Sequence, residues 1–162
     1  MAKIYLDTSV INFLFADDAP EHQAETIEFF ERYIGPGIYD TVISVFVIDE
    51  INQTPNEIKR TKLMQVIADY ELGFLEAIDS EIVRMAQDYL AAGVVPPKKL
   101  YDALHVAISV FHGVDYLVSW NYKHLANVNR ESRINAVNLS NGYTKPIRII
   151  TPLELMSDET WN

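Results

Sequence analysis

Apolar residues along the 162-residue chain fall into short runs and helical stripes that alternate. Residues 3–6 are apolar and end in Asp7, which predicts a first strand, and Asn12 to Phe15 continue the pattern as a short helix. Residues 20–34 carry a helical spacing, with Pro20 at the first helical position and Gly35-Pro36-Gly37 as the stop. Ile38 to Ile43, rich in β-branched side chains, predict a second strand, after which Ser44 caps a helix through Val47, Ile48 and Ile51. Thr54-Pro55-Asn56-Glu57 has the form of a capping box with proline at the first helical position, opening a helix with Ile58, Leu63, Val66 and Ile67. Gly73 to Ile78 predict a third strand and Ser80 to Ala92 a helix that Gly93 ends. Pro96-Pro97 forbid helix, and Leu100 to His112 form a strong one with Gly113 as its stop. Its face of Leu100, Ala103, Leu104, Ala107, Ile108 and Phe111 is core. Asp115 to Ser119 predict a fourth strand, residues 130–140 a helix, Ile147 to Ile150 a fifth strand and Pro152 to Met156 a last short helix.

Strand and helix therefore alternate, the pattern of an α/β protein with a mostly parallel sheet and helices on both faces. Composition agrees: 49% of residues are hydrophobic and 22% charged, ordinary for a globular chain and unlike a disordered one. A chain of this length buries roughly 70% of its unfolded surface, and no repeat, linker or low-complexity tract divides it, so 1–162 reads as one domain. Cysteine is absent, which excludes disulfides, thiolate metal sites and a cysteine nucleophile and suits a reducing compartment. The apolar run Val45 to Ile48 is far too short to span a bilayer, and Asp7 interrupts the N-terminus before a signal-peptide core forms. These features predict a cytoplasmic protein with no membrane partner.

Charge narrows the choice of partners. The formal net charge is −10, against general adhesion to nucleic acid or anionic membranes. Residues 121–150 reverse the balance, with Lys123, Arg130, Arg133, Lys145 and Arg148 against Glu131 alone. A polyanion can be held there; solvated surface is the plainer reading for most of these side chains.

In parallel sheets ligands bind outside the carboxyl ends of the strands, so polar residues just after strands come first. Asp7 ends the first strand and Asn121 lies two residues past Ser119. Asp102 stands in the first turn of the strong helix, and Glu50 in the helix after the second strand. Should the three acids converge, two carboxylates about 5 Å apart repel by roughly 3 kcal/mol at an effective dielectric near 20. Three in one pocket need protonation or a cation. A hard ion such as Mg²⁺ or Mn²⁺ takes oxygen ligands and suits an Asp, Glu and Asn set without cysteine.

Each acid also has an ordinary role open to it. Asp7 can cap a helix, and Asp102 can be a helix N-terminal charge worth about 0.3–1 kcal/mol. Asp49 and Glu50 project about 100° apart on a helix, which leaves Asp49 as surface when Glu50 faces a site. His105 shares a helix face with Asp102 and reads either as a ligand or proton shuttle, or as a satisfied, half-buried histidine. His22, His112 and His124 lack a catalytic context. Trp120 and Tyr122 flank Asn121 and can stack on a base, though packing suits Trp120 better. Ser9 stands where a haloacid-dehalogenase phosphatase needs its second aspartate. Neither a glycine-rich phosphate loop nor a Gly-x-Ser-x-Gly elbow is present.

Four stretches in order carry a resemblance. Tyr5-Leu6-Asp7-Thr8-Ser9-Val10-Ile11 resembles the opening motif of PIN-domain proteins, a family that includes the VapC-type toxins of bacterial toxin–antitoxin pairs. Val45-Phe46-Val47-Ile48-Asp49-Glu50-Ile51 is similar to the second motif and Tyr101-Asp102-Ala103-Leu104-His105-Val106-Ala107 to the third. Asp115-Tyr116-Leu117-Val118-Ser119-Trp120-Asn121 is similar to the fourth. The resemblance implies a three-layer α/β/α sandwich and a Mg²⁺- or Mn²⁺-dependent endoribonuclease that cleaves RNA phosphodiesters with metal-activated water. It implies Asp7, Glu50, Asp102 and Asn121 as catalytic and metal-holding residues and Ser9 and Ser119 as their supports. Lys123 and Arg130 are candidates for the RNA backbone. A small antitoxin and a homodimer are the partners it implies. Asn121 departs from the family's usual acid: its carbonyl oxygen can ligate but brings no charge. The competing expectation is a PIN-like scaffold that binds RNA or protein without cutting.

Overall fold

The computed structural model describes residues 1–161. Five strands, β1 (Lys3–Leu6), β2 (Asp40–Ser44), β3 (Gly73–Leu75), β4 (Tyr116–Val118) and β5 (Arg148–Ile150), form one sheet in the order β3-β2-β1-β4-β5. Every pairing is parallel, so the sheet is wholly rather than mostly so. Ile4, Tyr5 and Leu6 are fully buried, as a central parallel strand covered on both faces requires. The helices are α1 (Thr8–Asn12), α2 (Pro20–Phe29), α3 (Val45–Asn52), α4 (Glu57–Asp69), α5 (Ser80–Ala91), α6 (Leu100–Phe111), α7 (Val128–Ser140) and α8 (Pro152–Trp161). From β1 the chain steps outward through β2 to β3, then returns past β1 to β4 and β5. Right-handed crossovers therefore set α1–α4 against one face and α5–α7 against the other, the three-layer α/β/α sandwich.

The reversal of strand order falls between β1 and β4, where the crossovers part and leave a crevice at the carboxyl ends. Leu6 pairs with Val118, so Asp7 and Ser119 emerge side by side. Ser44 caps α3 by accepting the Phe46 N–H at 3.2 Å, as its sequence position predicts. Left-handed turns at Gly93 (φ 70°) and Gly113 (φ 67°) follow α5 and α6.

Several boundaries differ from expectation. The first short helix begins at Thr8 because Asp7 caps it; the predicted Asn12 to Phe15 segment is its last residue and a 3₁₀ turn. The Thr54 capping box does not form: Asn56 is the cap, accepting Lys59 N–H at 3.0 Å, and Pro55 stays outside the helix. An amide one residue before Glu57 reaches the third backbone N–H directly, which makes the earlier threonine redundant. Helix 20–34 is α-helical only to Phe29 and closes in a π turn over Phe30–Ile34. Strand β3 ends at Leu75, since its partner Ser44 is where β2 gives way to α3. Helix α7 starts at Val128, capped by Asn127, and α8 runs beyond Met156 to Trp161. Among the described residues no helix is long and apolar enough to cross a membrane.

Candidate active site

Four elements bring polar side chains to the crevice. Asp7 ends β1, caps α1 and accepts two bonds from Ser9, the backbone N–H at 3.1 Å and the hydroxyl at 2.5 Å. Ser9 Oγ also accepts the Trp120 N–H at 2.9 Å, so one hydroxyl joins the ends of β1 and β4. The Ser119 hydroxyl supports Asp7 from the other side, and its oxygen accepts the Asn121 N–H at 2.9 Å. Glu50, from α3, accepts the Thr8 hydroxyl at Oε1, 2.5 Å away, and the same oxygen lies 2.5 Å from His105 Nε2. Asp102, one turn before His105 on α6, accepts the Asn121 side-chain amide at 3.0 Å. Asp7, Glu50, Asp102 and Asn121, with Ser9 and His105, line a cavity of about 160 Å³. Thr8 and Asn12 complete its wall.

The orientation of Asn121 follows from its neighbours. Its Oδ1 accepts the His124 backbone N–H at 3.2 Å, which leaves the NH₂ group to face Asp102. It therefore gives the cluster a neutral donor where the sequence suggested a carbonyl ligand.

Burial and mutual repulsion set the charges. Asp7 is 3% exposed, and burial raises its carboxyl pKa; the His105 ring and the Ser119 and Ser9 hydroxyls oppose the rise, and Glu50 adds to it. Asp102 is pushed up to about 6, first by burial and then by the charge of Asp7, with Glu50 adding and His105 and Lys99 opposing. Burial would raise Glu50 as well, but its hydrogen bonds from His105 and the Thr8 hydroxyl, together with the charge of Lys99, outweigh it and hold this carboxyl below its ordinary value. Among the described hydrogen bonds and ion pairs, neither Asp7 nor Asp102 meets a lysine or arginine.

The donor chemistry suits a hard divalent ion: oxygen ligands, excess negative charge and a small polar cavity. Among the described residues no three Asp, Glu, His or Cys side chains stand close enough to enclose an ion. The hydrogen bonds occupy Glu50 Oε1 and Asp102 Oδ2, leaving Glu50 Oε2 and Asp102 Oδ1 for such a partner.

Lys123 and Arg130, the candidates for the RNA backbone, do not line the cavity. Lys123 is exposed, whereas Arg130 is half-buried and donates from its guanidinium to the Val94 carbonyl at 3.1 Å. Burial lowers the pKa of His124, and the charges of Lys123, Arg130 and Lys99 add to the effect. Trp120 is buried, donates to Thr26 Oγ1 at 2.8 Å and stacks on His22 with ring centroids 4.4 Å apart, the packing role expected of it. Tyr122 is 57% exposed. His105 is fully buried rather than half-buried, with both ring nitrogens partnered. Asp49 does not line the cavity. Sequence reasoning passed over Thr8, Asn12, Lys99 and Tyr5; Thr8 and Tyr5 stand inside the first motif, but their partners lie far away in sequence.

The family model described as the PIN domain matches residues 4–130, and no curated protein matches significantly. Among solved structures the chain is similar to the crystal structure of FitAcB from Neisseria gonorrhoeae, with a TM-score of 0.55 and 13% sequence identity. That likeness covers 93% of this chain and 98% of the other, and it is one of fold.

Proposed function

This chain belongs to the PIN domain family, and from that premise we propose that it is an endoribonuclease that works with Mg²⁺ or Mn²⁺. The observation that carries the proposal is the convergence of Asp7, Glu50 and Asp102 on one small cavity at the switch point of a parallel sheet. Asp7 and Asp102 hold the ion, Glu50 holds it or its waters, and Asn121 fixes Asp102 through its amide. The bound ion supplies an activated water and neutralises charge at the phosphodiester, the usual part of such ions in phosphoryl chemistry. Ser9, Ser119 and Thr8 restrain the carboxylates so that no side-chain reorganisation is needed when substrate arrives. Lys99, whose charge acts on Glu50 and Asp102, meets the RNA backbone together with Lys123 and Arg130. In-line attack leaves a 5′-phosphate and a 3′-hydroxyl.

The family resemblance adds the toxin reading: a small antitoxin whose basic side chain enters the cavity, and a homodimer as the working unit. Finding a small DNA-binding protein encoded in the next reading frame would support it. One observation favours a non-cutting scaffold instead, namely Asn121 donating to Asp102 where an acid is usual.

The test is cleavage of a pool of structured RNAs with Mn²⁺, with Asp7→Asn prepared alongside. Cutting by the native chain and not by the variant supports the nuclease. Absence of cutting across RNAs and metals moves the reading to the scaffold.

A further inference from the structure

A buried hydrogen-bond chain runs behind the acids. Ser44 Oγ lies 2.7 Å from the Tyr5 hydroxyl, that hydroxyl lies 2.7 Å from His105 Nδ1, and His105 Nε2 lies 2.5 Å from Glu50 Oε1. Ser44, Tyr5 and His105 are at most 1% exposed, so water does not complete the chain. Its members sit on the three elements that carry the three acids. Tyr5 precedes Asp7 by two residues on β1, Ser44 caps the helix of Glu50, and His105 lies one turn beyond Asp102 on α6.

The direction of the protons follows from counting donors. Glu50 is a carboxylate that already accepts the Thr8 hydroxyl, so the hydrogen between it and His105 belongs to Nε2. Ser44 Oγ accepts the Phe46 N–H. With Ser44 donating to Tyr5 and Tyr5 donating to His105 Nδ1, every hydrogen in the chain has an acceptor. In the reverse direction the Ser44 hydrogen has none among the described hydrogen bonds, a cost in a dry interior.

The geometry points to Tyr5 as a positioning residue for the proposed reaction: its hydroxyl, backed by Ser44, locks His105 with Nε2–H aimed at Glu50 and so sets the spacing of the acids. The inference rests on the nuclease reading for its consequence, not for its structure. Tyr5 lies behind the site rather than on its wall and acts only through His105. Direct outer partners of metal ligands, as His105 is of Glu50, change metal affinity or activity by about 10–100-fold, and Tyr5 acts through that partner.

The test reads ring-nitrogen chemical shifts of ¹⁵N-histidine-labelled protein, with the His105 signals assigned from His105→Gln. Wild-type His105 shows hydrogen on Nε2 and a hydrogen-bonded, unprotonated Nδ1. Tyr5→Phe, which keeps the ring and its packing, loses that single state; kcat for RNA falls about 10–100-fold and KM is unchanged. Hydrogen on Nδ1 in the wild type overturns the inference, as does Tyr5→Phe with unaltered shifts and kcat. The wild-type spectrum decides by itself should Tyr5→Phe not fold. Wild-type protein with the expected ring state that cuts no RNA overturns the nuclease reading, and the consequence for kcat with it.

Discussion

Asp7 and Asp115 stand at opposite ends of neighbouring strands and have opposite surroundings. Asp115, at the amino end of β4, accepts the Lys3 N–H at 2.8 Å and pairs with Lys145 at 2.8 Å. The Lys145 hydrogen bond and the Lys3 backbone hold its carboxyl below the ordinary value. Nearby, Lys3 pairs with Asp40 and Arg148 with Asp158. At the carboxyl end Asp7 and Asp102 meet hydroxyls, an amide and each other, and burial lifts both. One end of the sheet neutralises its acids with bases of its own; the other leaves them short of positive charge. Acids of the first kind stabilise the fold, and acids of the second kind are the ones the proposed function assigns to a cation.

The largest expected break in the comparison is functional. Asp7→Asn reduces RNA cleavage at least about 100-fold, the upper range for losing even an outer partner of a metal ligand, and Asp115→Asn leaves the rate within about twofold. Initial rates at saturating Mn²⁺ check both.

Stability follows with opposite signs. At pH 7.5 without metal, Asp102→Asn stabilises the protein by about 1–3 kcal/mol, since a carboxyl raised to about 6 pays to ionise in the folded state. Asp115→Asn destabilises it by up to about 1 kcal/mol, as expected for a partly exposed ion pair. Urea unfolding measures the two.

The pH window sharpens the same contrast. Between about pH 4 and 6 folded Asp102 holds a proton that the unfolded chain releases, so its contribution lowers stability as pH rises through that range. Asp115 has a depressed value, so its contribution is present above the unfolded value and is lost as pH falls. Wild-type unfolding free energy against pH, compared with Asp102→Asn, shows the Asp102 part as a difference that is absent near pH 4 and full above pH 6.

Smaller still is the effect of restoring an acid at 121. Asn121→Asp sets two carboxylates together where the amide now donates at 3.0 Å. The variant melts below the wild type in EDTA and gains more than the wild type from Mn²⁺. A melting point unchanged in both conditions contradicts the placement of Asn121.

The strands and the order of motifs were legible because each strand is a short apolar run closed by a polar residue, as with Ile4 to Leu6 before Asp7. Ser44 as a helix cap was legible for the same local reason. The Asn56 cap was hidden by a better-looking threonine, since both residues are good caps and only the helix start, two residues further on, tells them apart. The acids could be named from their motifs, but their compensation could not. That Lys145 serves Asp115 while nothing basic bonds Asp7 depends on pairings 30 or more residues apart in sequence. The link from Ser44 through Tyr5 to His105 joins residues 39 and 100 positions apart and leaves no local trace.

The most direct measurement is calorimetric titration of Mn²⁺ into metal-free wild type, Asp7→Asn and Asp115→Asn. Two acid ends with different roles predict saturable binding by the wild type and by Asp115→Asn, and its loss in Asp7→Asn. A flat wild-type titration, or equal binding by Asp7→Asn, contradicts the claim that the carboxyl end of the sheet is built for a cation.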